Sequence, residues 1–382
     1  MRKRILQALA LFALLTLAGC GTPSAASYSP NPSSSSASAT ATRLPTATPG
    51  LTGLASPIGP RAPLGPVLYA GLNSGTFVTL NPNDGTRYWY NTIGGNAAPV
   101  LDAADSLLYV TAPDNTLYAL DAHNGALRWR YQVGAAFSEA AASGDVFLSA
   151  SAGSLVALKA DDGSVLWQKQ ISAGHPAVFN GVVYIGANDG VHALNAQDGS
   201  ESWHKQIAGG VAAEVLADGA VYALGMDGNL YCLNTGDGSQ RWQVVYGAVA
   251  TAVPLLAAAD GMVYLDTETG TAAAGASGNI QAFNAGNGEQ RWKLTNSAFG
   301  PLTASGGMLY VSAGAKLLAL QSGDGTQRWS FSNAVSSKAL LANGVLYVGS
   351  SDGTVYRLNP YDGSGGWHSS VGGPVGLLAF SQ

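Results

Sequence analysis

Residues Leu117–Trp129 read LYALDAHNGALRW, and this stretch decides the fold of the chain. A short apolar segment ends at Asp121, a polar turn ends at Gly125, and a second strand-like segment runs over Ala126–Tyr131. Asp, Asn and Gly tolerate positive φ and bond their own backbone, which suits a tight turn. The pattern therefore predicts a β-hairpin.

The same frame of Gly, three residues and Trp occurs eight times. All eight Trp of the chain occupy it, and successive Trp lie 36 to 50 residues apart. The pairs are Gly85/Trp89, Gly125/Trp129, Gly163/Trp167, Gly199/Trp203, Gly238/Trp242, Gly288/Trp292, Gly325/Trp329 and Gly363/Trp367. A rare, large residue at one slot of a repeating unit predicts a repeat protein.

Each repeat has room for four short strands. Leu107–Thr111 and Pro99–Asp102 read as two strands upstream of the hairpin, which gives one antiparallel sheet in about 38 residues. One such sheet cannot bury both of its faces, so the repeats must stack around a ring. The sequence predicts an all-β β-propeller, with the Trp docked between neighbouring sheets in a structural role.

The two ends of the repeat region complement each other. The segments 67–71, 76–80 and 86–91 match the second, third and fourth strands of a repeat, whereas 373–380 resembles a first strand. We expect the C-terminal strand to complete blade 1, which would close an eight-bladed ring over residues 67–382 and leave no edge unpaired.

Residues 1–20 have the features of a lipoprotein signal peptide. A basic start at Arg2, Lys3 and Arg4 precedes an apolar run, and the segment ends in Leu-Ala-Gly-Cys at Cys20. This box resembles the bacterial lipobox, which implies that Cys20 is lipidated and becomes the new N-terminus. The alternative is an ordinary secretion signal in which the Cys falls by chance.

Residues 21–66 are rich in Ser, Thr, Ala and Pro and contain few large apolar residues. Such a composition cannot bury a core, so a disordered tether is predicted. A tether of this length has a typical end-to-end reach of roughly 35–40 Å. It would hold the propeller away from the membrane surface.

Composition excludes several classes of function. The formal net charge of −5 offers no basic surface for nucleic acid. Two Cys do not imply a disulfide framework, and Cys232 reads as a small buried residue. The 50 Gly and 11% charged residues suit many tight turns.

The frame Ala-x-Asp/Asn-x-x-x-Gly-x-x-x-Trp resembles the repeat of PQQ-type, or quinoprotein, β-propellers. This resemblance covers residues 67–380, and Gly and Trp are present in every copy. It implies one of two functional classes. One class consists of PQQ-dependent dehydrogenases with Ca²⁺ and often a disulfide between adjacent cysteines. The other consists of non-catalytic scaffolds, similar to the BamB-type lipoproteins of outer-membrane assembly.

Candidate site residues are sparse. Glu139, Glu214 and Lys338 are expected to face the central channel, either as part of a metal or cofactor ring or as a solvated channel mouth. Asp266 and Glu268 lie in the insert 266–278 of blade 6, which is expected in a loop on the ligand-binding face. The five histidines, at positions 123, 175, 192, 204 and 368, lack metal-ligand spacing.

The sequence therefore favours a membrane-anchored, extracytoplasmic lipoprotein with a monomeric propeller that binds a protein partner. No catalytic residue, cofactor, metal site or nucleic-acid partner is predicted. The anchor would lie in the bacterial cell membrane or outer membrane. The alternative function is a PQQ-dependent quinoprotein oxidoreductase, against which the missing cysteine pair and short loops argue.

Overall fold

The computed structural model describes residues 57–62, 65–93, 101–104, 106–112, 115–132, 137–143, 146–151, 153–171, 174, 176–247, 255–269, 277–297 and 299–381. The predicted signal peptide and most of the predicted tether lie outside these ranges, as does the middle of the blade 6 insert. Within the described residues, no helix has the length and apolar character needed to cross a membrane.

Across the described ranges, the strands form eight four-stranded antiparallel sheets, here called blades. Blade 1 contains β1 (Val67–Leu72), β2 (Thr76–Leu80), β3 (Arg87–Thr92) and the last strand of the chain, β32 (Val375–Ser381). Blade 2 contains β4 (Leu101–Ala104), β5 (Leu107–Thr111), β6 (Thr116–Asp121) and β7 (Leu127–Gln132). Blade 3 contains β8 (Phe137–Ser143), β9 (Val146–Ser151), β10 (Ser154–Lys159) and β11 (Val165–Lys169).

The remaining blades follow in chain order. Blade 4 contains β12 (Ala177–Phe179), β13 (Val182–Ala187), β14 (Gly190–Asn195) and β15 (Glu201–Gln206). Blade 5 contains β16 (Val211–Ala217), β17 (Ala220–Gly225), β18 (Asn229–Asn234) and β19 (Gln240–Val245). Blade 6 contains β20 (Leu255–Ala259), β21 (Met262–Thr269), β22 (Ser277–Asn284) and β23 (Gln290–Ser297). Blade 7 contains β24 (Phe299–Ser305), β25 (Met308–Ala313), β26 (Lys316–Gln321) and β27 (Gln327–Phe331). Blade 8 contains β28 (Leu340–Ala342), β29 (Val345–Gly349), β30 (Thr354–Leu358) and β31 (Gly365–Ser370).

The blades form a closed ring. Their innermost strands contact one another in the order β4, β8, β12, β16, β20, β24, β28 and β32, and β32 contacts β4 again. The last strand pairs antiparallel with β1, placing Val67 opposite Ser381 and Leu68 opposite Phe380. The predicted all-β propeller and its closure by the C-terminal strand are both confirmed.

The hairpin of β6 and β7 shows how the repeated sequence forms its turn. The Gly125 amide donates to the Asp121 carbonyl at 2.8 Å, and the Asp121 carboxylate accepts the His123 amide at 3.0 Å. Gly125 has φ +70°, a conformation that costs a residue with a Cβ about 1–2 kcal/mol. The Gly of the frame is therefore required by the turn, whereas the Asp side chain adds to its stability, since the turn of blade 3 forms the same backbone bond with Lys159 in that place.

The core lies between blades rather than within any one of them. Strands in the second and third positions of the blades are almost wholly buried, as in β6, whereas fourth strands such as β15 alternate towards solvent. Between blades 1 and 2, Tyr69, Phe77 and Trp89 pack against Leu108 and Tyr118. Each blade thus needs both neighbours to bury its faces.

Residues 57–62 correct the predicted boundary of the tether. Ile58 forms an antiparallel bridge with Tyr90 on the outer strand of blade 1. Ala62 is buried, and its amide donates to the His123 carbonyl at 2.7 Å. This segment is part of the propeller, because its backbone spans blades 1 and 2, so the tether cannot extend to residue 66.

Candidate functional site

The eight docking Trp lie in the interfaces between blades. Each indole ring packs against the turn Gly of the following repeat, so that a Cβ added to Gly163 would lie 2.6 Å from the Trp129 ring. The series of contacts around the propeller is completed by Trp367 of blade 8, which packs against Gly85 of blade 1. Two constraints therefore favour Gly at this position of the frame: its positive φ, and the indole ring that leaves no room for a Cβ.

Most of these indoles also donate a hydrogen bond to the next blade. The acceptor is a backbone carbonyl, and the pairs are Trp129–Ala160 at 2.6 Å, Trp167–Ala196 at 2.9 Å, Trp203–Thr235 at 2.9 Å, Trp242–Ala285 at 2.8 Å, Trp292–Ser322 at 2.8 Å, Trp329–Pro360 at 3.1 Å and Trp367–Pro82 at 3.0 Å. Trp89 Nε1 has no acceptor among the described residues. These positions support a structural role for the Trp.

The carboxylate of Glu214 does not face a solvated channel mouth, as the sequence suggested it could. Only 3% of Glu214 is exposed, and its Oε1 accepts the Gly186 amide of the neighbouring blade at 2.9 Å. A Cβ on Gly186 would lie 2.5 Å from Glu214 Oε2. The pair forms a packed link between β16 and β13, so that Glu214 has a structural position.

The other predicted channel residues do not form one site. Lys338 is half-buried just before β28. Asp266, predicted in a loop, instead lies buried within β21, where it pairs with Leu255 and Ile280. The backbone of Glu139 lies in β8 and that of Glu268 in β21, while their side chains are outside the described part of the structure. The proposed carboxylate ring is not assembled from the residues that can be placed.

Two histidines that appeared unrelated in the sequence are cross-strand partners. His192 on β14 lies opposite His204 on β15, and their rings stack at 4.1 Å with an interplanar angle of 7°. His192 Nε2 lies 2.9 Å from Asp189 Oδ1, and its Nδ1 lies 2.8 Å from Glu201 Oε2. These two histidines therefore lie close together although the sequence gives them no metal-ligand spacing.

The charges around His192 belong to one network. His204 Nε2 lies 3.7 Å from Asp189 Oδ2, and Lys169 of blade 3 lies 3.6 Å from Glu201. The hydrogen bonds with His192 hold the pKa of both Asp189 and Glu201 below their usual values. Both carboxylates therefore remain charged next to the two rings.

The remaining histidines and Cys232 are not part of this network. His123 lies in the turn of blade 2, His368 lies on β31 against Tyr356, and His175 is outside the described residues. Cys232 is fully buried, and burial raises the pKa of its thiol to about 11. The prediction of a small buried residue is confirmed.

Exposed apolar side chains mark one end of blade 5. Met226, in the turn between β17 and β18, is 55% exposed, and Val245, at the end of β19, is 80% exposed. Val245 pairs with Asn229, directly after the turn that holds Met226. We call the face that carries the turns between second and third strands the top face, and Asp189 lies on it as well.

Comparison with known proteins supplies the family. The model described as outer membrane protein assembly factor BamB matches residues 52–177, 168–298 and 276–381. The chain belongs to this BamB family. A search among curated proteins gives no match.

Solved structures similar to this BamB-family chain include an assembly factor and enzymes. BamB from Moraxella catarrhalis is 22% identical with a TM-score of 0.62, covering 80% of this chain and 97% of that one. Quinohemoprotein alcohol dehydrogenase ADHIIG from Pseudomonas putida HK5 is 16% identical with a TM-score of 0.54, covering 74% and 67%. The dihydro-heme d1 dehydrogenase NirN is 12% identical with a TM-score of 0.62, covering 85% and 79%. At these identities the likeness concerns the fold alone.

Proposed function

We propose that the protein is a non-catalytic interaction scaffold on the extracytoplasmic side of the bacterial envelope, where it takes part in envelope protein assembly. The observation that supports this proposal is the match to the BamB family model, which runs from residue 52 to residue 381. A rigid ring closed by its own C-terminal strand presents a fixed surface without needing a ligand to hold it together. Such a surface suits a protein partner.

The top face near Met226 and Val245 is the contact region we propose. Large exposed apolar side chains cost free energy in water, and a partner that covers them regains it at roughly 25 cal/mol per Å². The described ends of the blade 6 insert extend towards the same face, because β21 and β22 stay paired as far as Thr269 and Ser277. A partner seated there would contact blades 5 and 6 together.

A photo-crosslinking amino acid at Met226 is expected to trap one discrete envelope-protein adduct in living cells. The matched control is the same substitution at Tyr361, which is also exposed but lies in a turn at the opposite end of the blades. Mass spectrometry of the two adduct profiles gives the comparison. Equal adducts from both positions, or none from Met226, would contradict the proposed contact region.

The quinoprotein alternative is tested on the purified protein. PQQ and Ca²⁺ are added, binding is measured by calorimetry, and dye-linked oxidation of alcohols and aldoses is assayed. A quinoprotein must hold a charged cofactor, a divalent ion and a general base together near the substrate. Stoichiometric binding with turnover would replace the scaffold proposal by an oxidoreductase, whereas neither is expected.

We also propose that Cys20 is lipidated and that a disordered tether, now ending before residue 57, connects it to the propeller. Cys20→Ala is expected to move the protein from the detergent phase to the aqueous phase in a phase-partition assay. Stable anchoring needs two or more acyl chains, and the variant lacks the residue that would carry them. Cys232→Ala makes the same chemical change at a buried position and should leave the protein in the detergent phase. An unchanged distribution of the Cys20 variant would refute the anchor.

A further inference from the structure

The stacked histidines on blade 4 lie beside a carboxylate in an arrangement that can chelate a cation. One ligand atom each from Asp189, His192 and His204 lies within 4.8 Å of the others. Imidazole nitrogen combined with one carboxylate oxygen is a donor set that suits Zn²⁺ and related transition-metal ions rather than Ca²⁺ or Mg²⁺. We propose that these three residues bind a divalent transition-metal ion of the Zn²⁺ class.

Metal binding requires the His204 ring to tilt out of its stack on His192, because the in-plane lone pairs of two parallel rings do not converge on one ion. A tetrahedral ion with Zn–N distances of about 2.0–2.1 Å holds its ligand atoms roughly 3.3–3.4 Å apart, so the set must contract by up to roughly 1.5 Å. Two of the three side chains are free to do this, because Asp189 is 58% exposed and His204 is 30% exposed. His192 is 9% exposed and acts as the fixed member.

The surroundings of His192 match the outer shell of a metal site. Its Nδ1 lies 2.8 Å from Glu201 Oε2, so Nε2, the nitrogen that faces Asp189, is the one available as the ligand. A carboxylate that orients a metal-binding histidine in this way is the usual second-shell partner. Lys169 balances the charge of Glu201 at 3.6 Å.

The proposed site is open to solvent and has fewer protein ligands than a tetrahedral ion takes, so the bound ion should exchange. Asp189 lies in the turn between β13 and β14, and His204 lies on the outermost strand of the blade, so an ion can enter from the rim of the top face. Three protein ligands leave a fourth tetrahedral position for water or for a donor group of another molecule. The site thus lies within reach of the top face without depending on the function proposed for it.

Blade 8 provides an internal control, because it has a histidine in the slot of His204 and an aspartate in the turn between its second and third strands. His368 follows a docking Trp as His204 does, and it lies opposite Tyr356 as His204 lies opposite His192. Asp352 occupies the turn position that corresponds to Asp189. Blade 8 lacks the second imidazole and also a counterpart of Glu201, because Gly365 lies opposite Leu358 as Glu201 lies opposite Leu194. Blade 8 should therefore not bind the ion.

The test uses the purified full chain after chelator treatment, titrated with Zn²⁺ by calorimetry and with Co²⁺ by visible absorption. We expect one Zn²⁺ per chain. Loss of one of three ligands in His204→Gln should weaken binding by at least about tenfold, and Glu201→Gln by about 10–100-fold. His368→Gln should bind as the wild type does.

A ligand exchange guards against loss of folding as an explanation. His204→Cys keeps a metal donor at the same position, and Co²⁺ bound there should show the sulfur-to-metal charge-transfer absorption that the wild type lacks. Absence of Zn²⁺ binding up to about 1 mM would overturn the proposal. Equal losses in His204→Gln and His368→Gln, or a His204→Cys variant that binds Co²⁺ without the new absorption, would overturn it as well.

Discussion

Removal of Pro374–Gln382 is expected to abolish cooperative folding of the propeller or to lower its melting temperature by tens of degrees. The deleted segment contains β32, whose Val375, Leu377 and Leu378 are buried. Burying each such side chain contributes roughly 1.5–3 kcal/mol, so their loss approaches the about 5–15 kcal/mol that stabilises a typical domain. The deletion also exposes the edge of β1 and opens the ring.

Thermal unfolding followed by circular dichroism measures this effect, and a peptide added in trans separates a missing strand from a general failure to fold. A synthetic peptide of residues 374–382 should restore the melting transition, because it can pair with β1 in the native register. The same peptide with Leu377 and Leu378 replaced by Asp should not. A truncated chain that melts at the wild-type temperature would show that β32 does not close the ring.

The repeat was visible in the sequence because one rare residue marks it. Trp129 and its seven counterparts each pack against the turn Gly of the next repeat, and this steric demand requires a Trp and a Gly in every repeat. The complementary ends at Val67 and Val375 revealed closure for a similar reason, since each half lacks the strand that the other supplies. Constraints from backbone conformation and side-chain packing that recur in every blade therefore appear in the sequence as a repeat.

The histidine site left no such pattern. His192 and His204 are twelve positions apart, and their pairing depends on the register of β14 and β15, which shifts at a bulge between Ala193 and Leu194. Glu201 lies opposite Leu194, directly after the bulge, and its carboxylate reaches His192. A one-residue slip moves a side chain to the other face of a sheet, so residue spacing alone could not reveal the cluster.

Two further differences have related causes. Residues 57–62 have the Pro- and Gly-containing composition of a tether, yet Ile58 and Ala62 find partners on blades 1 and 2 that lie far along the chain. Glu214 looks like a channel residue because it lies on an innermost strand, but its side chain bonds the Gly186 amide. Both depend on long-range contacts, which local composition does not encode.

Substitution of Trp129 by Ala is expected to destabilise the propeller by about 3–5 kcal/mol. The indole is 1% exposed, packs against Gly163, and donates its N–H to the Ala160 carbonyl at 2.6 Å. Removing it leaves a cavity between blades 2 and 3, and it also leaves that buried carbonyl without its donor. Such a cavity cannot collapse easily, because the two hairpins on either side are each held by their own turns.

Variants at matched positions separate the parts of this effect. Trp129→Phe keeps much of the buried ring and loses the hydrogen bond, so its cost should be well below that of the Ala variant. Trp203→Ala should cost less than Trp129→Ala, since Trp203 is only half-buried, while Tyr361→Ala removes an exposed aromatic and should stay within about 0.5 kcal/mol. Denaturant unfolding gives all four free energies. Because the docked Trp side chains lie inside the interfaces between blades, the order of the three Trp variants in stability should not change when a ligand is added. A Trp129→Ala protein that kept wild-type stability but lost partner binding would instead show that this Trp contacts the partner.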